Sequence, residues 1–149
     1  MKTVVLPAAL CLALLTACRS EEGLPAVRVS FEGGYSEIAR GSYSLTPAAD
    51  GDSVEFRYEE EDLRGYSLQY GKTLSRAELE EVYRIFAENE IARLPSSDLA
   101  TATDLHTYTV TVREGDREHT FSVYGPHRHP DGRYWNVIAP LAELAERLG

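Results

Sequence analysis

Two imidazoles stand two residues apart in Pro126-His127-Arg128-His129-Pro130-Asp131, with a carboxylate close behind and His119 upstream. On a strand, side chains two apart share a face, and a pair of imidazoles with a third ligand suits zinc. Prolines flank this pair on both sides, so the segment reads as a loop with no strand geometry to aim the rings, and no metal site is expected. Asp50-Gly51-Asp52, with Glu61 further on, opens like a calcium loop. Val54 and Glu55 then stand where such a loop needs a ligand and its turn glycine, so the stretch is expected to connect two strands instead. Covalent chemistry has no more support. There is no G-x-S-x-G elbow, and Ser, His and Asp occur without a recognisable catalytic context. With 24 acidic residues in 149, paired carboxylates are too common to signify a hydrolase. The expectation is a non-enzymatic protein without a cofactor.

Cys18 is the residue with the most definite chemistry. Lys2 gives a positive start, Thr3 to Leu15 an apolar run, and small Thr16 and Ala17 a cleavage point, the three parts of an export signal. That run is 13 residues long and contains Pro7, whereas a membrane-crossing helix needs roughly 20 apolar residues. Leu15-Thr16-Ala17-Cys18 resembles the lipobox of bacterial lipoproteins. The resemblance implies cleavage before Cys18, a diacylglyceryl thioether on its sulfur and an N-acyl chain, and hence a domain held in the cell envelope outside the cytoplasm. Two or more chains anchor stably, since each buried methylene contributes about 0.8 kcal/mol. An ordinary secretory signal cut near Ala17 would instead leave Cys18 as an odd thiol. Cys11 departs with the leader in either case, so no disulfide is available to the mature domain. The expected organisation is a signal peptide over 1–17, a lipidated tether over 18–25 and one domain over 26–149. Without Lys2 the mature part carries 14 basic and 24 acidic residues, a net of -10. Such a surface repels nucleic acid and anionic headgroups, leaving the acyl chains as the membrane contact.

Periodicity sketches the domain. Val27, Val29 and Phe31 alternate with polar residues and stop at Gly33-Gly34; Gly41 to Leu45 and Ser53 to Glu59 read as a hairpin around Pro47 to Asp52. Glu59 to Asp62 reads as a solvated charge run, and Tyr66, Leu68 and Tyr70 as a further strand. Ser75 and Glu78 form an S-x-x-E capping box, with Leu74 and Leu79 at the staple positions around it. Leu79, Val82, Tyr83 and Phe86 then form one stripe of a helix ending near Asn89. In the hairpin from Leu105 to Tyr124, a Gly115-Asp116 turn sets Val112 opposite His119, Val110 opposite Phe121 and Tyr108 opposite Val123. The same register sets Thr111 opposite Thr120, Thr109 opposite Ser122 and Arg113 opposite Glu118, so like environments meet on both faces. Ile138, Leu141, Leu144, Ala145 and Leu148 give a closing helix, with Pro140 expected in its first turn. Helices between strand groups without regular alternation imply an α+β domain, a largely antiparallel sheet with two helices on one face.

The order of these segments resembles the small proteins related to emfourin. The likeness is carried by the strand Val27 to Phe31, Gly33-Gly34-Tyr35-Ser36-Glu37-Ile38-Ala39-Arg40, the capped helix leading to Ile91-Ala92-Arg93-Leu94-Pro95, Asp104 to Val112 and the closing helix. Those proteins inhibit thermolysin-like metallopeptidases, so the resemblance implies a binding module whose partner is a secreted or periplasmic peptidase. Ser53 to Tyr70 and the lipid anchor are additions to that pattern, and the chain equally resembles small bacterial lipoproteins with a tyrosine-rich sheet. Gly33, Gly34 and Tyr35 are the candidate partner-binding residues, because two glycines free the backbone to lie close against a partner and Tyr35 supplies an aromatic anchor. The alternative is an envelope ligand-binding lipoprotein with a pocket between helix and sheet, with Tyr134, Trp135 and the histidine loop at its mouth.

Overall fold

The computed structural model describes residues 23–149. The leader and Cys18 lie outside the described residues. Strands β1 (Ala26–Gly33), β2 (Ile38–Pro47), β3 (Ser53–Asp62) and β4 (Ser67–Ser75) run as an antiparallel meander. A turn of 3₁₀ helix at Ala77–Leu79 leads into α1 (Glu80–Glu88). Then β5 (His106–Glu114), β6 (Arg117–Tyr124) and α2 (Arg133–Leu148) complete the chain. Because β5 returns to pair with β1, the sheet order is β4-β3-β2-β1-β5-β6, with every pairing antiparallel. The fold is α+β.

Alternation sorts the side chains into two faces. Val27, Val29 and Phe31 of β1, Tyr43 and Leu45 of β2, Val54, Phe56 and Tyr58 of β3, and Val110 and Val112 of β5 are buried on the inner face. Val82 and Phe86 of α1 and Val137, Ile138, Leu141 and Leu144 of α2 join the same core. Rings of Tyr70, Tyr58, Tyr43, Phe31 and Tyr108 stack side by side across five strands at centroid spacings of 5.2–5.5 Å. This ladder accounts for four of the nine tyrosines, and burial raises the pKa of each of the four phenols. Among the described residues the core runs from Leu24 to Leu148. Leu24 packs on the core, and the Pro25 carbonyl accepts the Tyr83 hydroxyl at 3.2 Å.

The β5–β6 register matches the expected pairs, and the Thr109–Ser122 and Thr111–Thr120 hydroxyls hydrogen-bond at 3.1 Å. The capping box forms: the Ser75 N–H donates to Glu78 at 2.7 Å and the Glu78 N–H to the Ser75 Oγ at 3.1 Å. Three expectations are corrected. The acidic stretch to Asp62 belongs to β3, because Glu59, Glu60 and Glu61 pair with Gln69, Leu68 and Ser67. β2 likewise begins at Ile38 and β4 runs to Ser75. Pro140 sits in the middle of α2, not its first turn, because the helix starts seven residues earlier at Arg133. Core burial of Tyr134 and Val137 holds those first two turns against the break a proline introduces.

Candidate functional site

Gly33-Gly34-Tyr35 forms the tip of the β1–β2 connection, and its backbone is fixed on several sides. Gly33 and Gly34 have φ of 79° and 73°, the left-handed region that costs an L side chain about 1–2 kcal/mol. At Gly34 a Cβ would also stand 2.9 Å from the His106 nitrogen and 3.0 Å from the Leu105 carbonyl carbon, so β5 begins directly against it. The Tyr35 N–H donates to the Asp104 carbonyl at 3.0 Å. Ser36 Oγ accepts from the Ile38 N–H at 3.1 Å, and the His106 ring donates through Nε2 to the Ile38 carbonyl at 3.1 Å. Above this scaffold the Tyr35 side chain is 92% exposed.

The β3–β4 connection lies beside it at the same end of the sheet. The Leu63 N–H donates to the Glu37 carbonyl at 3.0 Å, and Asp62 accepts the Arg64 and Tyr66 N–H groups at 2.8 and 2.9 Å. Leu63 and Tyr66 are themselves largely exposed. Two hydrogen-bonded loops thus present an aromatic ring, an aliphatic side chain and a second aromatic ring to solvent. A tyrosine with two rotatable side-chain angles on an ordered backbone loses little entropy on docking. Recognition is the chemistry this end of the molecule can perform.

The histidines are separately engaged. The His129 Nδ1 accepts the Asp131 N–H at 2.9 Å, which leaves the proton on Nε2 to be donated to Ser97 Oγ at 2.7 Å. His119 donates to the Leu94 carbonyl at 2.7 Å, and His127 lies edge-on to Trp135. Among the described residues no group of three or more His, Cys, Asp or Glu side chains is arranged to hold a metal ion. The Asp131 carboxyl lies below the usual carboxylate range because Arg133 donates to it. Asp50 accepts from the Asp52 and Ser53 N–H groups at 2.9 and 3.0 Å, closing its own loop. Tyr134 is 2% exposed, its ring edge-on to Phe121 and its hydroxyl donated to the Pro95 carbonyl at 2.5 Å. It is a core residue and does not stand at the mouth of a pocket.

One concavity has no counterpart among the sites expected from the sequence. On the outer face of the sheet a trough of about 490 Å³ is lined by Arg28, Ser30, Ser42, Glu59, Gln69 and Thr109 among others. Its only sequence signal is the run of small hydroxyl residues at outward positions of β1, β2 and β5, which any solvated sheet face shows.

These features define a class: an α+β domain with one antiparallel sheet, both helices on its inner face, an open polar outer face and a rigid aromatic tip. No helix among the described residues is long and apolar enough to cross a membrane. The chain matches no protein-family model and no curated protein.

Proposed function

We propose that this chain is a lipid-anchored protein of the bacterial cell envelope whose domain is a non-enzymatic binding module, presenting the Gly33-Gly34-Tyr35 loop to a protein partner. The observation that carries the reading is the exposed Tyr35 ring on a backbone pinned to β5. Chain direction supports it. β1 runs from the tether to the tip, and its eight residues separate the two by about 26 Å. An acylated Cys18 would tether the domain by its Pro25 end, the end of β1 opposite the Tyr35 loop.

The partner class follows from the resemblance to emfourin-like proteins: a thermolysin-like metallopeptidase whose cleft receives the loop. No catalytic group is needed for that activity. The test is a titration of several such peptidases with the chain from Arg19 onward at micromolar concentration. Progressive loss of peptidase activity is the expected result, and full activity throughout would refute the partner class. The outer-face trough favours a second reading, an envelope ligand-binding protein, with its site on the open sheet face in place of the pocket expected beside Tyr134.

A further inference from the structure

The two edges of the sheet differ. Along β6 the Ser97 N–H donates to the Ser122 carbonyl at 2.9 Å, the Tyr124 N–H to the Ser97 carbonyl at 3.1 Å and the Ser122 N–H to Ser96 Oγ at 2.9 Å. β4 has no such cover among the described residues. Its pairing with β3 shows which backbone groups are free. The Asp62 N–H donates to the Tyr66 carbonyl at 2.9 Å and the Arg76 N–H to the Asp52 carbonyl at 2.8 Å, and bonded and non-bonded pairs alternate along an antiparallel ladder. Leu68, Tyr70, Lys72 and Leu74 therefore bond to β3, while Ser67, Gln69, Gly71 and Thr73 turn their N–H and C=O groups outward. Ser75 also turns outward, but Glu78 takes its N–H at 2.7 Å. An open row of this kind is a template for another strand.

One antiparallel pairing of β4 with a second copy engages those four residues and no others. It sets Ser67 opposite the partner's Thr73 and Gln69 opposite the partner's Gly71, each twice by symmetry, with the two-fold axis at Tyr70. A shift of two residues toward Ser75 would call on an N–H that is already bonded, and the opposite shift would run past the strand into Gly65. The side chains agree with this register. The aromatic ladder reaches the edge at Tyr70, 5.2 Å from Tyr58, and continues into the partner's Tyr70. Lys72, in no ion pair among the described residues, falls opposite the partner's Leu68, whose neighbour on the same face is the partner's Glu60, also in no ion pair. A lysine on an edge strand commonly keeps other strands away, whereas this register gives it an acid. β4 itself carries no acidic residue in a chain with 24, so two copies meet with no carboxylate facing another along the seam. Tyr66 and Leu68, 73% and 50% exposed, come opposite the partner's Leu74 and the partner's Lys72.

We infer that β4 is a self-association edge, through which two copies of this chain join antiparallel about Tyr70 into one continuous sheet, with Lys72 of each copy answering the partner's Glu60. The inference rests neither on the Tyr35 loop, which connects β1 and β2 away from this edge, nor on any lipid on Cys18.

Sedimentation velocity of the chain from Arg19 onward tests it. A strand pairing of this size lies at the small, weak end of protein interfaces, so monomer and dimer should exchange with a Kd of about 100 µM. Lys72→Glu should weaken association at least about tenfold, and adding Glu60→Lys should restore it. Gln69→Pro removes an outward N–H while leaving the bonds to β3 in place, and should give a monomer with an unchanged circular dichroism spectrum. The chain from Arg19 onward has no cysteine, so Tyr70→Cys should oxidise to a disulfide-linked dimer across the axis and Thr73→Cys should not. A monomer at about 1 mM, which would leave the edge to an extended segment of another protein, would overturn the inference. So would association unaltered in Lys72→Glu and Gln69→Pro, or equal cross-linking of the two cysteine variants.

Discussion

Replacing Gly33 and Gly34 separately by alanine distinguishes a loop that is merely left-handed from one that is wedged against β5. Both positions require positive φ, so each alanine incurs about 1–2 kcal/mol of backbone strain. Each also removes about 0.4–1 kcal/mol of unfolded-state entropy, which offsets part of that strain. Gly33 has open space where a Cβ would go, and nothing further is added. At Gly34 the new Cβ meets backbone atoms of Leu105 and His106 at 3.0 and 2.9 Å, and a strand backbone yields poorly. Relief requires moving Tyr35 away from Asp104, which forfeits their 3.0 Å hydrogen bond and about another 1 kcal/mol. Gly33→Ala should therefore destabilise by about 0.5–1 kcal/mol and Gly34→Ala by about 2–3 kcal/mol. Urea unfolding of the chain from Arg19 onward, with matching m-values as the control, measures the difference. Equal midpoints for the two variants would refute the claim that β5 holds the loop.

Phe86, fully buried in α1, should cost about 3–5 kcal/mol on truncation to alanine, whereas Glu81→Ala, on the exposed side paired with Arg84, should stay within about 0.5 kcal/mol; thermal melts of the two variants check this. Burial pushes the Tyr83 phenol up to about 12 from an ordinary value near 10. Its neutral form is thus favoured by folding, and that contribution is intact below pH 10 and lost as pH rises toward 12. Ultraviolet titration should show one fewer late-ionising phenol in Tyr83→Phe, together with a weaker loss of stability across that window. For the anchor, intact mass of the protein from its native host should show cleavage before Cys18 with acyl mass added, and Cys18→Ser should abolish the modification; an unmodified thiol would contradict the lipobox reading.

What was legible in the sequence follows from where side-chain chemistry constrains the backbone. The β5–β6 register could be read because a slip of one residue would set Val110 against a polar partner and expose Phe121. Ser75 and Glu78 marked a helix start because their hydrogen bonds are local. The start of α2 gave no such sign: Gly132 precedes it without a side-chain cap, and Pro140 reads as a first-turn residue until the burial of Tyr134 is known. Strand ends at Ile38 and Asp62 were hidden because backbone pairing sustains them where the sequence turns polar. The cover on the β6 edge, where the Ser97 N–H donates to the Ser122 carbonyl at 2.9 Å, joins residues 25 apart through a loop without periodicity. At the tip, Gly33-Gly34 announced the turn, while its apposition to Leu63 and Tyr66 depended on sheet topology. The trough depended on it entirely, since Arg28 and Glu59 come from strands that are not neighbours.

The central claim is that Tyr35 is an anchor for a partner and not part of the fold. Its side chain makes no core contact, so Tyr35→Ala should leave the unfolding midpoint of the domain unchanged. Calorimetric titration of wild-type and Tyr35→Ala domains into a thermolysin-like metallopeptidase inhibited by the wild type tests the claim most directly. At least a tenfold weaker Kd for the variant, about 1.4 kcal/mol, is the predicted result. Equal affinity of the two proteins for that peptidase would contradict it.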